Sequence, residues 1–214
     1  VTWTPDPTAF VRDLEAKPVA LRELASLLAE DPWREVERGD RVVFTGVGSS
    51  RFAALPIAAM LRAAGRDAVA ERSSAASVVP AGPGTLAIGI SASGSTPETI
   101  EALARHRETG STTVAITNAG ASALESAADH HIAVHAGEET GGVACRTFQH
   151  TIALLLASSM HLAQPPLPGV PPTRPRTSST VERHGCRTRS ARSATDRSSA
   201  SRPRNGSAPP NRAR

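Results

Sequence analysis

Between residues 91 and 99 the chain reads Ser-Ala-Ser-Gly-Ser-Thr-Pro-Glu-Thr. The hydroxyls of Ser91, Ser93, Ser95 and Thr96 crowd around Gly94, and Pro97 stands at or next to the first position of an expected helix. Hydroxyls and backbone N–H groups gathered at a helix N-terminus form a cup of donors that favours an anion. A phosphate monoester fits such a cup. Helix capping explains part of the pattern, because Ser95 and Glu98 have capping-box spacing and Thr96 before Pro97 is a good N-cap. Capping uses one or two hydroxyls, not four. The cup has no Lys, and no G-x-x-x-x-G-K-[ST] occurs in the chain, so a small phosphorylated metabolite is expected rather than a nucleoside triphosphate with Mg²⁺.

Two other loops could touch a ligand. Thr45-Gly46-Val47-Gly48-Ser49-Ser50-Arg51 joins an apolar run to a helical pattern, and its glycines allow a tight turn and close backbone approach. A plain turn is one reading. A dinucleotide site is another, since Glu71 stands about where a ribose-binding acid would be, but Arg51 occupies the place of the third glycine in G-x-G-x-x-G. The third loop contains Gly137, Glu138, Glu139, Gly141, Gly142 and Val143. Glu139 there could accept from sugar hydroxyls or act as a base; alternatively the two acids simply favour the N-terminus of the next helix. His106, His130 and His131 are read as solvated, and His150 and His161 as packing residues. No Ser–His–Asp arrangement emerges from these spacings.

The elements that must position these loops have a strand–helix rhythm. Apolar runs at 41–45, 67–71, 85–91, 111–117 and 130–135 alternate with helical patterns at 51–64, 97–108 and 121–127, and 148–162 closes the unit. Continuous apolar strands joined by helices mean a five-stranded parallel sheet covered on both faces, an α/β sandwich with ligands outside the carboxyl ends of its strands. Residues 8–28 add two short helices interrupted at Pro18, within a helical lead-in assigned to 1–35.

Composition separates this domain from the C-terminal segment. Residues 1–163 hold 13 Lys and Arg against 18 acids, whereas 164–214 hold 11 Arg, two acids, nine Pro, eight Ser and no aromatic residue. The second segment is expected to be a disordered tail, because it cannot bury enough apolar area to offset its ordering entropy. Its abrupt composition resembles an out-of-frame reading of GC-rich coding sequence. Without aromatics or a motif, its arginines do not favour nucleic acid as the partner. No apolar run reaches the roughly 18 residues of a membrane span, and the first residues lack the features of a signal peptide, so no membrane partner and a cytoplasmic location are expected. Cys145 and Cys186 show no metal-ligand spacing, and neither a metal nor a cofactor is expected.

The three loops together resemble the SIS (sugar isomerase) family, over about residues 8–163. The resemblance rests on Gly46-Val47-Gly48-Ser49-Ser50, on Ser91-Ala92-Ser93-Gly94-Ser95-Thr96 as an S-x-S-G-[ES]-T signature, on Thr117-Asn118, and on Gly137-x-Glu139 with Val143-Ala144. It is strongest to the first of the two modules in the isomerase half of glucosamine-fructose-6-phosphate aminotransferase, and to related phosphosugar isomerases and deaminases. It implies a flavodoxin-like three-layer α/β/α fold, with the SIS domain at 36–163, and a phosphorylated sugar or amino sugar as ligand. Ser91, Ser93 and Thr96 would hold the phosphate with the amides of Ala92 and Gly94, while Gly48, Ser49, Ser50 and Val143 would touch the sugar. Ala92 departs from the amide side chain often found there, and Arg146 from a Lys, which keeps the charge and changes its shape. The resemblance also implies pairing into a homodimer.

It leaves activity open. An isomerase or deaminase needs a base to move a proton between C1 and C2, and within this sequence Glu139 is the candidate. Counterparts of the glutaminase half and of the second module's E-x-K-H-G-P segment are not found here. A non-catalytic module that binds or senses a phosphosugar is the alternative.

Overall fold

The computed structural model describes residues 6–76 and 79–165. The tail expected over 164–214 therefore lies outside the described residues, except for residues 164 and 165. In chain order the elements are α1 (Pro7–Glu15), α2 (Lys17–Leu28), β1 (Arg41–Gly46), α3 (Gly48–Ala63), β2 (Asp67–Arg72), β3 (Thr85–Ile90), α4 (Pro97–Glu108), β4 (Thr112–Thr117), α5 (Ala123–Ser126), β5 (His130–Ala133) and α6 (Cys145–Leu162).

The strands form one parallel sheet in the order β2-β1-β3-β4-β5. Helices cover both faces, which explains the unbroken apolar runs: all six residues of β3 are buried. The two faces are filled differently. Phe44, Leu86, Ile88, Ile90, Val114 and Ile116 pack with Ile57 and Leu61 of α3 and Leu154 and Leu155 of α6, whereas Ala87 and Ala115 meet Leu103 of α4 and Leu124 of α5. Small residues on the second face let α4 lie close to the sheet; a Cβ built at Gly89 would come 3.0 Å from Leu103 Cδ2. The three-layer α/β/α architecture is thus as expected.

Strand order reverses between β1 and β3, because the chain moves outward from β1 to β2 and then returns to pair β3 on the other side. Such a switch point opens a crevice at the carboxyl ends of the two strands. Gly46 of β1 pairs with Ile90 of β3 in register, so the glycine loop and the serine loop leave the sheet side by side.

Several helix boundaries differ from expectation, and α5 covers only Ala123–Ser126 of the expected 121–127. Helix α3 begins at Gly48 rather than 51, which puts Ser49 and Ser50 in its first turn. Helix α6 begins at Cys145 rather than 148. The break between α1 and α2 falls at Ala16, and Pro18 lies in the first turn of α2, where its missing N–H costs nothing.

Candidate functional site at the switch point

The serine loop is knitted together by its own hydroxyls. Ser91 is buried, 4% exposed; its Oγ accepts from the Gly94 amide at 3.1 Å and lies 2.9 Å from Thr96 Oγ1. Ser93 is exposed, and its Oγ accepts from the Ser95 amide at 3.3 Å and the Ser95 hydroxyl at 2.9 Å. A hydroxyl has two lone pairs and one proton. With both lone pairs of Ser93 in use, its remaining capacity is to donate outward.

Backbone bonds fix the loop to its neighbours. Ser91 N donates to Ile116 O, Asn118 N to Ala92 O, and Leu124 N to Gly94 O. Gly94 has φ of +64°, and a Cβ there would lie 2.3 Å from Ser122 Cβ and Oγ. Only glycine fits.

Thr96 is the N-cap of α4, but its side chain makes no capping bond, since the hydroxyl is engaged with Ser91. The Ser95–Glu98 capping box is therefore not formed. A capping box does occur one loop away, where Ser122 Oγ accepts from the Glu125 amide and the Glu125 carboxylate accepts from the Ser122 amide. Its S-x-x-E spacing is plain in the sequence.

Of the residues singled out from sequence, the switch point brings Gly48, Ser49 and Ser50 beside Ser91, Ala92, Ser93, Gly94 and Thr96. Gly48 and Ser49 are exposed and Ser50 half-buried. Gly94 differs from expectation in one respect: its amide is spent on Ser91. Glu139 and Val143 belong to a loop that leaves the sheet at β5, two strands from β3. Val143 is exposed.

Glu139 is fully engaged. Its Oε1 accepts from the Arg146 amide at 2.6 Å, and its Oε2 from the Thr147 amide at 3.0 Å and the Thr147 hydroxyl at 2.6 Å. Burial works to raise the carboxyl pKa, but these bonds outweigh it and hold the group below its ordinary value. These bonds make Glu139 a cap for the start of α6, and a carboxylate stabilised in its charged form is a weak base. Beside it, burial and then Glu139 push the Cys145 thiol up, away from thiolate chemistry.

Two further expectations are corrected. His106 is not solvated: it is 1% exposed, with Nε2 3.1 Å from Glu71 Oε1. Glu71, the candidate ribose acceptor, is itself 8% exposed and also accepts from the Val79 amide at 2.9 Å. Burial works to raise the pKa of Glu71, and the bonds from His106 and Val79 more than reverse this. That carboxylate has its partners, which removes the acid a dinucleotide would need. His130 and His131 are half-buried rather than solvated, and His131 Nε2 lies 3.0 Å from Thr117 Oγ1. His150 and His161 do pack, against the carbonyls of Val134 and Val36.

Residues given no ligand role from sequence hold the loops in place. Ser73, just past β2, lies 2.9 Å from Thr45 Oγ1 of β1 and accepts from Thr99 Oγ1 of α4 at 3.2 Å, tying the two switch-point loops at their roots. Asn118 clamps the third loop: its Nδ2 donates to Gly137 O and its Oδ1 accepts from the Ala136 amide, both at 2.8 Å.

Relatives share this frame. The glutamine–fructose-6-phosphate aminotransferase (isomerizing) of Sulfurisphaera tokodaii is 27% identical over 156 residues, 70% of this chain and 26% of that one. The chain thus spans about a quarter of the length of that curated relative. Among solved structures, the C-terminal domain of glucosamine-fructose-6-phosphate aminotransferase from Francisella tularensis superposes with a TM-score of 0.62 at 18% identity, covering 76% of this chain and 49% of that one. The Vibrio vulnificus NanR protein complexed with ManNAc-6P gives 0.53 at 22% identity, covering 70% and 60%. At these identities the two structures share the fold. The sequence model of the SIS domain matches residues 36–160. That match spans more than half of the sequence and contains both switch-point loops, which makes the chain a member of the SIS domain family.

Proposed function

We propose that the chain binds a phosphorylated sugar or amino sugar at the β1/β3 switch point. The phosphate is met by the hydroxyls of Ser91, Ser93 and Thr96, by the Ala92 amide and by the first turn of α4, and Gly94 shapes the loop. Gly48, Ser49, Ser50 and Val143 face the sugar. The observation that carries this reading is Ser93, an exposed hydroxyl with both lone pairs used, at the start of a helix without a side-chain cap. A phosphoryl oxygen supplies the acceptor that this donor and helix dipole favour. The names and ligands of the relatives, which concern phosphosugars, support the same ligand class. A phosphorylated metabolite as ligand suits a protein of the cytoplasm; no described helix is long and apolar enough to cross a membrane.

Binding rather than turnover is the activity proposed for this chain alone, because Glu139 is committed to α6. A second reading, aldose–ketose isomerisation or deamination in an assembly, is favoured by the exposed apolar residues of two packed helices: Phe52 and Met60 on α3, and Leu156 and Met160 on α6. Such a surface suits a second copy of this chain, a homodimer in which the partner completes the site. Calorimetry with fructose 6-phosphate, glucosamine 6-phosphate and unphosphorylated fructose, followed by a coupled isomerase assay, tests both readings. Binding of the two phosphates alone is expected. Equal binding of fructose, or no binding of any of the three, would overturn the proposal. Analytical ultracentrifugation of wild type and Met160→Glu tests pairing, with the variant expected to sediment as the lighter species.

A further inference from the structure

We propose that Asp13, on a helix outside the residues matched by the SIS family, is the positioning residue for the loop that carries Val143, and that helix α1 thereby helps set which sugar the protein accepts. The inference rests on the reading of Val143 as a sugar contact. Asp13 is 5% exposed and lies on the inward face of α1 with Ala9. Its Oδ2 accepts from the Gly141 amide at 2.7 Å and its Oδ1 from Arg146 Nη2 at 3.2 Å. These two partners bracket Val143 in sequence.

The contact is close as well as charged. A Cβ added at Gly141 would fall 2.4 Å from Phe10 Cα and 2.6 Å from Phe10 N, so the loop lies directly against the backbone of α1. Arg146 also donates to the Glu138 carbonyl, and its own amide is held by Glu139. Side chains within the loop therefore close its base, Asn118 holds its start, and Asp13 fixes its middle from another element. An open surface cleft of about 440 Å³, lined among others by Val19, Glu23, His135, Gly137 and Arg146, flanks the loop on the side of α2. Removing one member of a buried charge pair leaves the other uncompensated, so loss of Asp13 releases Arg146 and the loop with it.

Hydrogen–deuterium exchange and calorimetry on the full chain test this together. Asp13→Asn keeps the size and removes the charge. Amides 141–147 should exchange faster in the variant, while those at the start of α4 do not change. Affinity for fructose 6-phosphate should fall about tenfold as the loop that carries Val143 loosens. Affinity for inorganic phosphate, which reports the serine loop alone, should stay within about twofold. Arg146→Gln removes the same pair from the other side and should reproduce the pattern, and the double variant should be no worse than the poorer single one. Unchanged exchange across 141–147 would overturn the inference. So would a parallel loss of both ligands, which marks general loss of fold. If wild type binds neither ligand, the phosphosugar reading fails and the selectivity role falls with it, a result distinguishable from failure of the strap because exchange is read without ligand.

Discussion

Helices α4 and α6 start at the same edge of the sheet, each after a loop rich in small residues, and treat their first-turn amides in opposite ways. In α6 the chain's own Glu139 supplies a carboxylate to the amides of Arg146 and Thr147. In α4 the N-cap hydroxyl of Thr96 turns away to Ser91, and no side chain caps the helix. A helix N-terminus carries roughly half a positive charge, and an anion there is stabilising. At α6 that anion is tethered and makes three bonds, so a soluble ligand would have to displace it. At α4 the donors around the helix start are hydroxyls whose mutual bonds can be exchanged for bonds to a phosphate. Two N-termini of the same polarity are thus treated differently: one is closed by the chain's own acid, and the other carries no side-chain cap.

The harshest way to break this comparison is at Gly94. Gly94→Ala forces a Cβ into Ser122 in a left-handed backbone, and should cost about 3 kcal/mol of stability and abolish detectable phosphosugar binding. Denaturant unfolding reads the first effect and calorimetry the second. A variant within about 1 kcal/mol of wild type that still binds would mean the serine loop is not fixed as described. Next come the hydroxyls. Ser93→Ala should weaken fructose 6-phosphate about tenfold and leave stability within about 0.5 kcal/mol, since the two bonds its oxygen accepts from Ser95 are exposed and water replaces them. Ser91→Ala should lose affinity and about 1 kcal/mol of stability together, because Ser91 also accepts from the Gly94 amide. Equal behaviour of the two variants would erase the distinction between a donor kept for a ligand and one used by the fold.

Much of the edge that carries these loops is legible in the sequence. Strands buried on both faces announce themselves as apolar runs, and β3 at 85–90 and β4 at 112–117 lie within one residue of the runs that foretell them. Residues at 99, 102, 103 and 106 have helical spacing and are indeed the buried face of α4, but two of the four are Thr99 and His106. Polar type conceals a face that the period reveals, and for that reason His106 reads as solvated. The start of α6 is hidden because its cap comes from Glu139, seven residues before Arg146, and not from the adjacent N-cap position. Asp13 and Ser73 are invisible for a related reason: their partners lie 128 and 28 residues away in sequence. Local spacing records helix faces and turns; it does not record which distant loop a buried carboxylate will meet. An acid four residues from Ala9 on the inward face of α1 is the only trace of Asp13.

The gentlest test concerns the capped helix. Glu139→Gln keeps one acceptor and replaces the other with an N–H₂ group that cannot accept from Thr147. The loss should be about 1 kcal/mol at neutral pH, the usual worth of a helix cap. Its pH dependence has a definite sign. The carboxyl pKa lies below 4.5 in the folded protein and close to that ordinary value once unfolded, so the unfolded state takes up the proton first. The stabilisation is complete above the unfolded value and fades as pH falls through the folded one. Unfolding free energies of wild type and variant, measured by denaturant titration across this range, should converge at the acid end and separate toward neutrality. Inorganic phosphate affinity at neutral pH should be the same in both proteins, because that ligand reads α4. A constant gap at every pH would show that Glu139 acts through packing rather than charge. A fall in phosphate affinity would show that the two helix starts do not work independently.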